Sequence, residues 1–119
     1  MNRLLPALAA AALLGVASHA AAHAHLSAAE PAENSTVAAP KQLTLNFTEK
    51  LQPRFSGVSL TMPQMKDMAT PVTVAVGKDG MSLVATLAQP LAAGVYKVSW
   101  HAVTADTHRT QGVYTFTVR

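Results

Sequence analysis

Two short segments contain the residue types and the spacing that a bound metal ion needs. Asp106 and His108 are separated by one residue, and an i, i+2 pair on extended backbone points both side chains to the same side. His23 follows Ala20-Ala21-Ala22, small residues of the A-x-A type at which an export signal is cut. Cleavage after Ala22 would give His23 a free α-amine beside its imidazole, and these two nitrogens can close a chelate ring on one ion.

The donors in these two segments together favour copper. The amine and ring of His23, the ring of His108 and the carboxylate of Asp106 form an N3O set, which in tetragonal geometry suits Cu(II). Asp-x-His alone is weak, because a hydrogen-bonded aspartate in a polar loop at a strand end gives the same pattern. A second A-x-A, Ala22-His23-Ala24, also remains open, and cleavage there would leave His25 as the first residue.

A third segment is rich in methionine. Met62, Met65 and Met68 lie three residues apart in T-M-P-Q-M-K-D-M-A-T-P, where Pro63 and Pro71 favour a loop over a helix. Methionine usually fills cores, so three of them among polar residues are unusual. Their thioethers could bind Cu(I), a soft ion, and the chain has no cysteine to supply thiolates. Core packing or an adhesive loop is the alternative interpretation.

Three other residues could lie near a metal. His25 would be third in the processed chain, a spacing that permits chelation by the amine, two deprotonated amides and the imidazole. That mode requires residues 23–25 to stay unpaired. His101 is adjacent to Trp100 on a predicted strand, where a structural role fits better, and Glu49 ends a strand as a simple surface charge would.

The first 22 residues have the organisation of an export signal. Arg3 precedes an apolar run of about 13 residues, shorter than the roughly 20 that span a bilayer. We therefore predict a signal peptide over residues 1–22, with an uncleaved membrane anchor as the alternative, and one exported domain over residues 23–119. The formal charge of +3 is not clustered, which argues against nucleic-acid binding.

Alternating apolar and polar residues predict strands that must position these ligands. The segments with this pattern are 42–48, 57–62, 72–76, 81–87, 95–103 and 112–118. Short strands at this spacing, with Asp79-Gly80 as a turn signal, predict an all-β fold, a single Greek-key antiparallel β-sandwich or barrel of the cupredoxin or Ig-like type. Trp100, the only tryptophan, is expected to anchor the core.

Taken in order, the motifs resemble those of the periplasmic copper-resistance protein C (CopC) family over nearly the whole processed length. The matching stretches are His23-Ala-His-Leu, Pro31-Ala, Leu45-Asn-Phe-Thr-Glu-Lys-Leu, Phe55-Ser-Gly, the Met62/Met65/Met68 segment, Pro90-Leu-Ala-Ala-Gly-Val-Tyr-Lys-Val-Ser-Trp100, Ala105-Asp-Thr-His108 and Gly112-Val-Tyr-Thr-Phe. Their combination in this order is far more specific than any one piece.

The resemblance implies an exported Greek-key β-barrel that binds copper. It assigns Cu(II) to His23, through amine and ring, and to His108 and Asp106, and it favours cleavage before His23. In family members with a Cu(I) site, a methionine-rich loop holds the ion. Here Met62, Met65 and Met68 match, but the loop is shorter, and Thr70 and Thr73 stand where further ligands would be. The position after the tryptophan, where the family usually has arginine, is occupied here by His101.

The predicted function is that of a monomeric periplasmic copper binder, not an enzyme. It would buffer copper or carry it to an inner-membrane transporter or to other copper-resistance proteins. One alternative is a copper mono-oxygenase-like enzyme that cleaves polysaccharides, since N-terminal histidine chelation occurs there too. Such enzymes need a flat aromatic face, and this chain has six aromatic residues, most of them in predicted strands. A metal-free interaction domain is the other alternative.

Overall fold

The alternating segments form strands, each of which turns its apolar residues towards a common core. In the computed structural model, which describes residues 23–119, the strands are β1 (Leu26–Glu30), β2 (Thr36–Val37), β3 (Gln42–Phe47), β4 (Gly57–Met62), β5 (Met68–Thr70), β6 (Val72–Val76), β7 (Ser82–Leu87), β8 (Gly94–Val103) and β9 (Arg109–Val118). A 3₁₀ turn over Pro63–Met65 joins β4 to β5. None of the described residues forms a helix long and apolar enough to cross a membrane.

The strands are arranged in two sheets that face one another. One sheet has the order β1-β3-β7-β6, and the other has the order β2-β9-β8-β4-β5. Neighbouring strands are antiparallel, except that the two-residue strand β2 pairs with β9 in parallel. The all-β sandwich predicted from the sequence is confirmed, with this one parallel pair as the departure. The predicted signal peptide, residues 1–22, lies outside the described residues.

The core lies between the sheets and is filled from both of them. Leu45 and Leu83 are fully buried in the first sheet, and Val98 is fully buried in the second. The ring of Trp100 meets that of Phe47 edge to face, with centroids 5.1 Å apart, so the tryptophan packs against the core as predicted. These apolar contacts fix how the two sheets lie against each other, and therefore which loops meet at each end.

At one end of the sandwich, four connections come together. Thr48, just after β3, donates its backbone N–H to the carbonyl of His25 over 3.0 Å. Leu51 donates to the carbonyl of Gly80 over 2.9 Å and also forms a β-bridge with Thr104, which follows β8. The chain ahead of β1 is thereby held beside the loop between β8 and β9, and this end of the fold contains the residues predicted as Cu(II) ligands.

Candidate metal centre

The residues just before β1 are fixed in place by burial and by pairing. Ala24 is 1% exposed, so the chain enters the core immediately after His23. The hydroxyl of Thr110, on β9, donates to the carbonyl of Ala24 over 2.7 Å. His23 is half-buried between these anchors. The imidazole of His23 is therefore held beside β9, although Ala24 and Thr110 are 86 residues apart in sequence.

Asp106 and His108 lie in a tight turn between β8 and β9. The N–H of Thr107 donates to the carbonyl of Thr104 over 2.9 Å, and the N–H of Thr104 donates to the carbonyl of His108 over 3.0 Å. Thr107 adopts a left-handed conformation with φ of 70°. The expectation of extended backbone at this motif was therefore wrong, because the chain reverses direction here to pair β8 with β9.

The turn nevertheless brings the carboxylate and the imidazole of this motif together. One carboxylate oxygen of Asp106 lies 2.9 Å from Nδ1 of His108. The other accepts a hydrogen bond from the hydroxyl of Thr104, which is itself buried, and a longer one of 3.4 Å from the backbone N–H of His108. These hydrogen bonds lower the pKa of Asp106 to about 2, and the bond from Thr104 has the largest effect, followed by the one with His108. Asp106 is therefore a carboxylate at any pH near neutrality, and Nε2 of His108 points away from it.

The two predicted histidine ligands are close enough to share an ion. The ring centroids of His23 and His108 are 4.9 Å apart, with the planes inclined by 73°. Two imidazoles that bind one ion through bonds of about 2 Å have centroids within roughly 6.4 Å of each other. The pair fits this limit. Among residues 23–119, no three histidine, aspartate or glutamate side chains already converge on one point, because Asp106 is directed at His108.

His25 is a third imidazole near the terminus. Its ring centroid lies 6.5 Å from that of His23, just beyond the distance at which both rings could bind one ion, and its side chain is exposed. Its backbone N–H donates to the hydroxyl of Thr48 over 3.0 Å. The chelation mode that uses deprotonated amides is incompatible with this pairing. The sequence suggested His25 as a ligand only through that mode, and the structure leaves its ring just outside the range of an ion shared with His23.

A shallow cleft of about 480 Å³ adjoins Asp106. Glu49, Lys50, Met81 and Asp106 contribute to its walls. Glu49 is thus near the candidate centre, as a strand-end charge can be, without a contact that assigns it a role. Met81 gave no signal in the sequence, because it occurs as a single methionine at the start of a predicted strand.

The three methionines of the methionine-rich segment lie on a hairpin rather than in an irregular loop. Met62 ends β4 and is directly opposite Met68 on β5, so both point to the same side of the hairpin. Met62 is partly buried against the core, whereas Met65 and Met68 are 50% and 56% exposed. An ion pair of 3.4 Å between Lys97 and Asp67 holds the hairpin to β8.

The methionine hairpin and the histidine pair occupy opposite ends of the second sheet. Met62 directly follows Thr61, which pairs with Lys97 of β8, whereas His108 directly precedes Arg109, which pairs with Val103 of β8. Lys97 and Val103 are six positions apart along β8, which is roughly 20 Å at the usual rise of a strand. The structure therefore separates the predicted ligands into two sets that cannot share one ion.

Comparisons with known proteins identify the family of this chain. Residues 26–119 match the CopC domain family. The chain is 47% identical over 113 residues to copper resistance protein C of Escherichia coli, covering 90% of each protein. Its fold superposes on the crystal structure of PcoC, a methionine-rich copper resistance protein from Escherichia coli, with a TM-score of 0.77 and 44% identity, covering 82% of this chain and 100% of that one.

A further relative is much longer than this chain. The copper transport protein CutJ of Bacillus subtilis is 29% identical over 98 residues. The match covers 82% of this chain but only 18% of CutJ. A segment similar to this fold is thus one part of a larger protein in that case.

Proposed function

Because the chain belongs to the CopC family of copper resistance proteins, we propose that it binds one Cu(II) ion between His23 and the loop over residues 104–108. Members of this family are copper-binding proteins without enzymatic activity. Family membership thereby confirms that the chain is not an enzyme. The observation that carries the proposal is the approach of the His23 and His108 rings to 4.9 Å, across two segments that are distant in sequence.

The proposed ligands are the α-amine and ring of His23, Nε2 of His108 and the carboxylate of Asp106. His108 is preoriented for this role, because its Nδ1 contacts the carboxylate of Asp106, which is itself fixed by a hydrogen bond from the hydroxyl of Thr104. The negative charge of Asp106 also favours a divalent cation beside it. Nitrogen and oxygen donors of this kind suit Cu(II) better than Cu(I).

The amine donor depends on export and processing. The family's members are periplasmic, and we propose that residues 1–22 direct this chain to the same compartment and are removed before His23. Residues 23–119 then form the single domain that carries the site. There the protein buffers copper or carries it, as a monomer, to a membrane copper transporter or another copper-resistance protein. The resemblance to part of the transport protein CutJ supports a transporter as the partner.

The competition of protons with Cu(II) supplies the test of this function. Imidazole and α-amine groups, with reference pKa values of about 6.5 and about 7.7–8.0, must lose their protons to bind a metal. The pKa of Asp106 is about 2, and a depressed carboxyl pKa matters only when the pH falls towards that value. Asp106 therefore stays ionised between pH 8 and 5, and the loss of affinity in that window comes from the nitrogen ligands.

We expect the affinity for Cu(II) to fall steeply on acidification from about pH 7.5 to about pH 5. Titrations against a competing chelator of known affinity, at several pH values and with protein that starts at His23, measure this dependence. One equivalent of copper should bind, with a logarithmic affinity that rises with pH. An affinity that is constant across this range would contradict binding by imidazole and amine.

We further propose a weak Cu(I) site on the methionine hairpin. Met62 and Met68 are directly opposite one another, and Met65 lies in the turn that joins their strands. Thioethers prefer Cu(I), and the exposure of Met65 and Met68 leaves both free to turn towards an ion. Because the hairpin contains no histidine, its side-chain ligands for Cu(I) would all be thioether sulfurs.

The double variant Met65→Leu, Met68→Leu is expected to lower the affinity for Cu(I) by at least about tenfold, because it removes two sulfur donors while keeping side-chain volume. Anaerobic competition with a chromogenic Cu(I) chelator measures this. Met81→Leu, at the other end of the fold, is the matched control and should bind Cu(I) like the parent protein. Cu(II) affinity should be unchanged in both variants. Equal Cu(I) affinity in the double variant and its parent would refute this site.

A further inference from the structure

The outer face of the second sheet contains a groove that the copper site does not use. Its volume is about 490 Å³, within the range of ligand sites, and it is open to solvent along the sheet. Val58, Val74, Trp100 and Gly112 also line the cavity, and we define the outer-face groove by the lining residues on the outward side of β4, β8 and β9: Gly57, Ser59, Ser99, His101, Arg109, Gln111 and Val113.

Strand register explains why a depression forms at this place. Gly57 lies opposite His101, and Ser59 lies opposite Ser99, so three of these four outward positions have no side chain or a small one. The ring of His101 lies directly over Gly57, where an added Cβ would come within 2.9 Å of it. A larger residue at position 57 would therefore displace His101 and close the upper part of the groove.

The groove is rich in hydrogen-bond donors that have no partner. In the described part of the chain, no protein group forms a hydrogen bond or ion pair with the side chains of Ser59, Ser99, His101, Arg109 or Gln111. None of the described residues that line the groove is acidic. Burial and the neighbouring Arg109 lower the pKa of His101, which keeps this imidazole mostly neutral but still able to donate one N–H.

The chemistry of this lining selects an anionic ligand. Arg109 offers a planar fork of N–H groups that matches a carboxylate, and the serines and Gln111 add neutral donors. The donors follow one another on every second residue pair along one face of the sheet, from Val103–Arg109 to His101–Gln111 and then to Ser99–Val113. Donors spread along a line fit an extended chain better than a compact ion.

Two exposed apolar residues favour a protein as the source of that chain. Val113, in the last of these pairs, is 60% exposed and lies at the lower end of the groove. Phe55 is 58% exposed and stands two residues before Gly57, in a segment where the hydroxyl of Ser56 accepts from the N–H of Val103 over 2.9 Å. An exposed apolar residue in the groove and a second one two residues from its lining, together with the positive charge of Arg109, suit a peptide segment with acidic and apolar residues.

We propose that the outer-face groove binds an extended acidic segment of a partner protein, with Arg109 as the principal carboxylate receptor. Arg109 directly follows His108, so the groove begins at the candidate metal centre. A partner segment bound along it would end beside the site from which copper leaves. The groove itself needs no copper to bind its ligand, so the inference stands or falls independently of the metal ligands proposed above.

Binding of a ligand in the groove can be followed by tryptophan fluorescence. Trp100 is the only tryptophan in the chain and lines the groove, so its fluorescence reports occupancy. The probes are a short peptide that alternates glutamate with valine, the same peptide with glutamine in place of glutamate, and citrate as a compact carboxylate. Titration uses protein treated with a chelator. We expect saturable binding of the glutamate peptide, weakened by salt, and no saturable response to the glutamine peptide or to citrate.

Matched variants distinguish this groove from general charge attraction. Arg109→Gln should weaken binding of the glutamate peptide by about tenfold or more, because it removes a charge-assisted contact. Lys97→Gln removes one positive charge from the same outer face of the second sheet, on β8, where Lys97 pairs with Asp67 outside the groove, and should leave binding nearly unchanged. His101→Arg adds a permanent charge over Gly57 and should tighten binding, which a merely misfolded variant could not do.

Three results would overturn the inference. The first is the absence of a saturable response to the glutamate peptide. The second is an equal loss of affinity in Arg109→Gln and Lys97→Gln, which would indicate attraction by the whole face. The third is binding of citrate as tightly as the peptide, which would make the groove a receptor for free carboxylates and not for a partner segment.

Discussion

Replacement of His108 by alanine is expected to weaken Cu(II) binding by more than about a hundredfold, the upper end of what loss of a supporting residue costs. The variant removes the ring that stands 4.9 Å from His23, and it leaves Asp106 without the imidazole on which it rests. The turn itself should survive, because backbone hydrogen bonds between Thr104 and His108 hold it. Competition titration against a chelator at neutral pH gives the two affinities.

His101→Ala is the matched control for this experiment. It removes an imidazole of the same kind from the neighbouring strand β8, on the outer face and away from His23. Its Cu(II) affinity should equal that of the parent protein. A ligand that binds only the folded state raises the melting temperature, so copper should stabilise the parent and His101→Ala but not His108→Ala. Equal affinities in all three proteins would show that His108 does not bind the ion.

The strands themselves were predictable because their signal is local. In β3, Leu43, Leu45 and Phe47 alternate with polar residues and are all buried, as a half-buried strand requires. The same alternation indicated β4, β7, β8 and β9. The short strands β2 and β5 were not predicted, because segments of two and three residues are too short to show a period.

The proposed copper ligands could be named from residue types and by resemblance, but their arrangement depends on long-range contacts. The meeting of His23 with His108 requires the pairing of β1 with β3, and the bond from Thr110 to Ala24. No local pattern contains that information. The left-handed conformation of Thr107, which turns Asp106 back onto His108, likewise follows from the reversal between β8 and β9 and not from the three residues of the motif.

The outer-face groove had no sequence signature for a related reason. Its residues come from three strands that are separated in the chain, and serine, glutamine and arginine on an exposed face are ordinary surface residues. Only the register of β4 against β8, and of β8 against β9, brings them together over Gly57. His101, interpreted from the sequence as structural, lies in this lining and not at the candidate metal centre.

A single glycine added before His23 is expected to weaken Cu(II) binding by about two orders of magnitude or more, the usual size of a lost chelate or avidity effect. The addition turns the amine of His23 into an amide, which does not bind a metal unless it is deprotonated. It leaves the imidazole of His23 in place, because Ala24 and Thr110 hold the following residue. The matched control is a glycine added after Arg119, which changes the same mass at an exposed end.

Electron paramagnetic resonance of the copper-loaded proteins tests the central claim most directly, because nitrogen hyperfine structure counts the nitrogens bound to Cu(II). Protein that starts at His23 and the carboxy-terminal control should give the spectrum of an N3O site. The variant with the leading glycine should show one nitrogen fewer, together with its lower affinity. Identical spectra and identical affinities for all three proteins would contradict a site built on a processed terminal histidine.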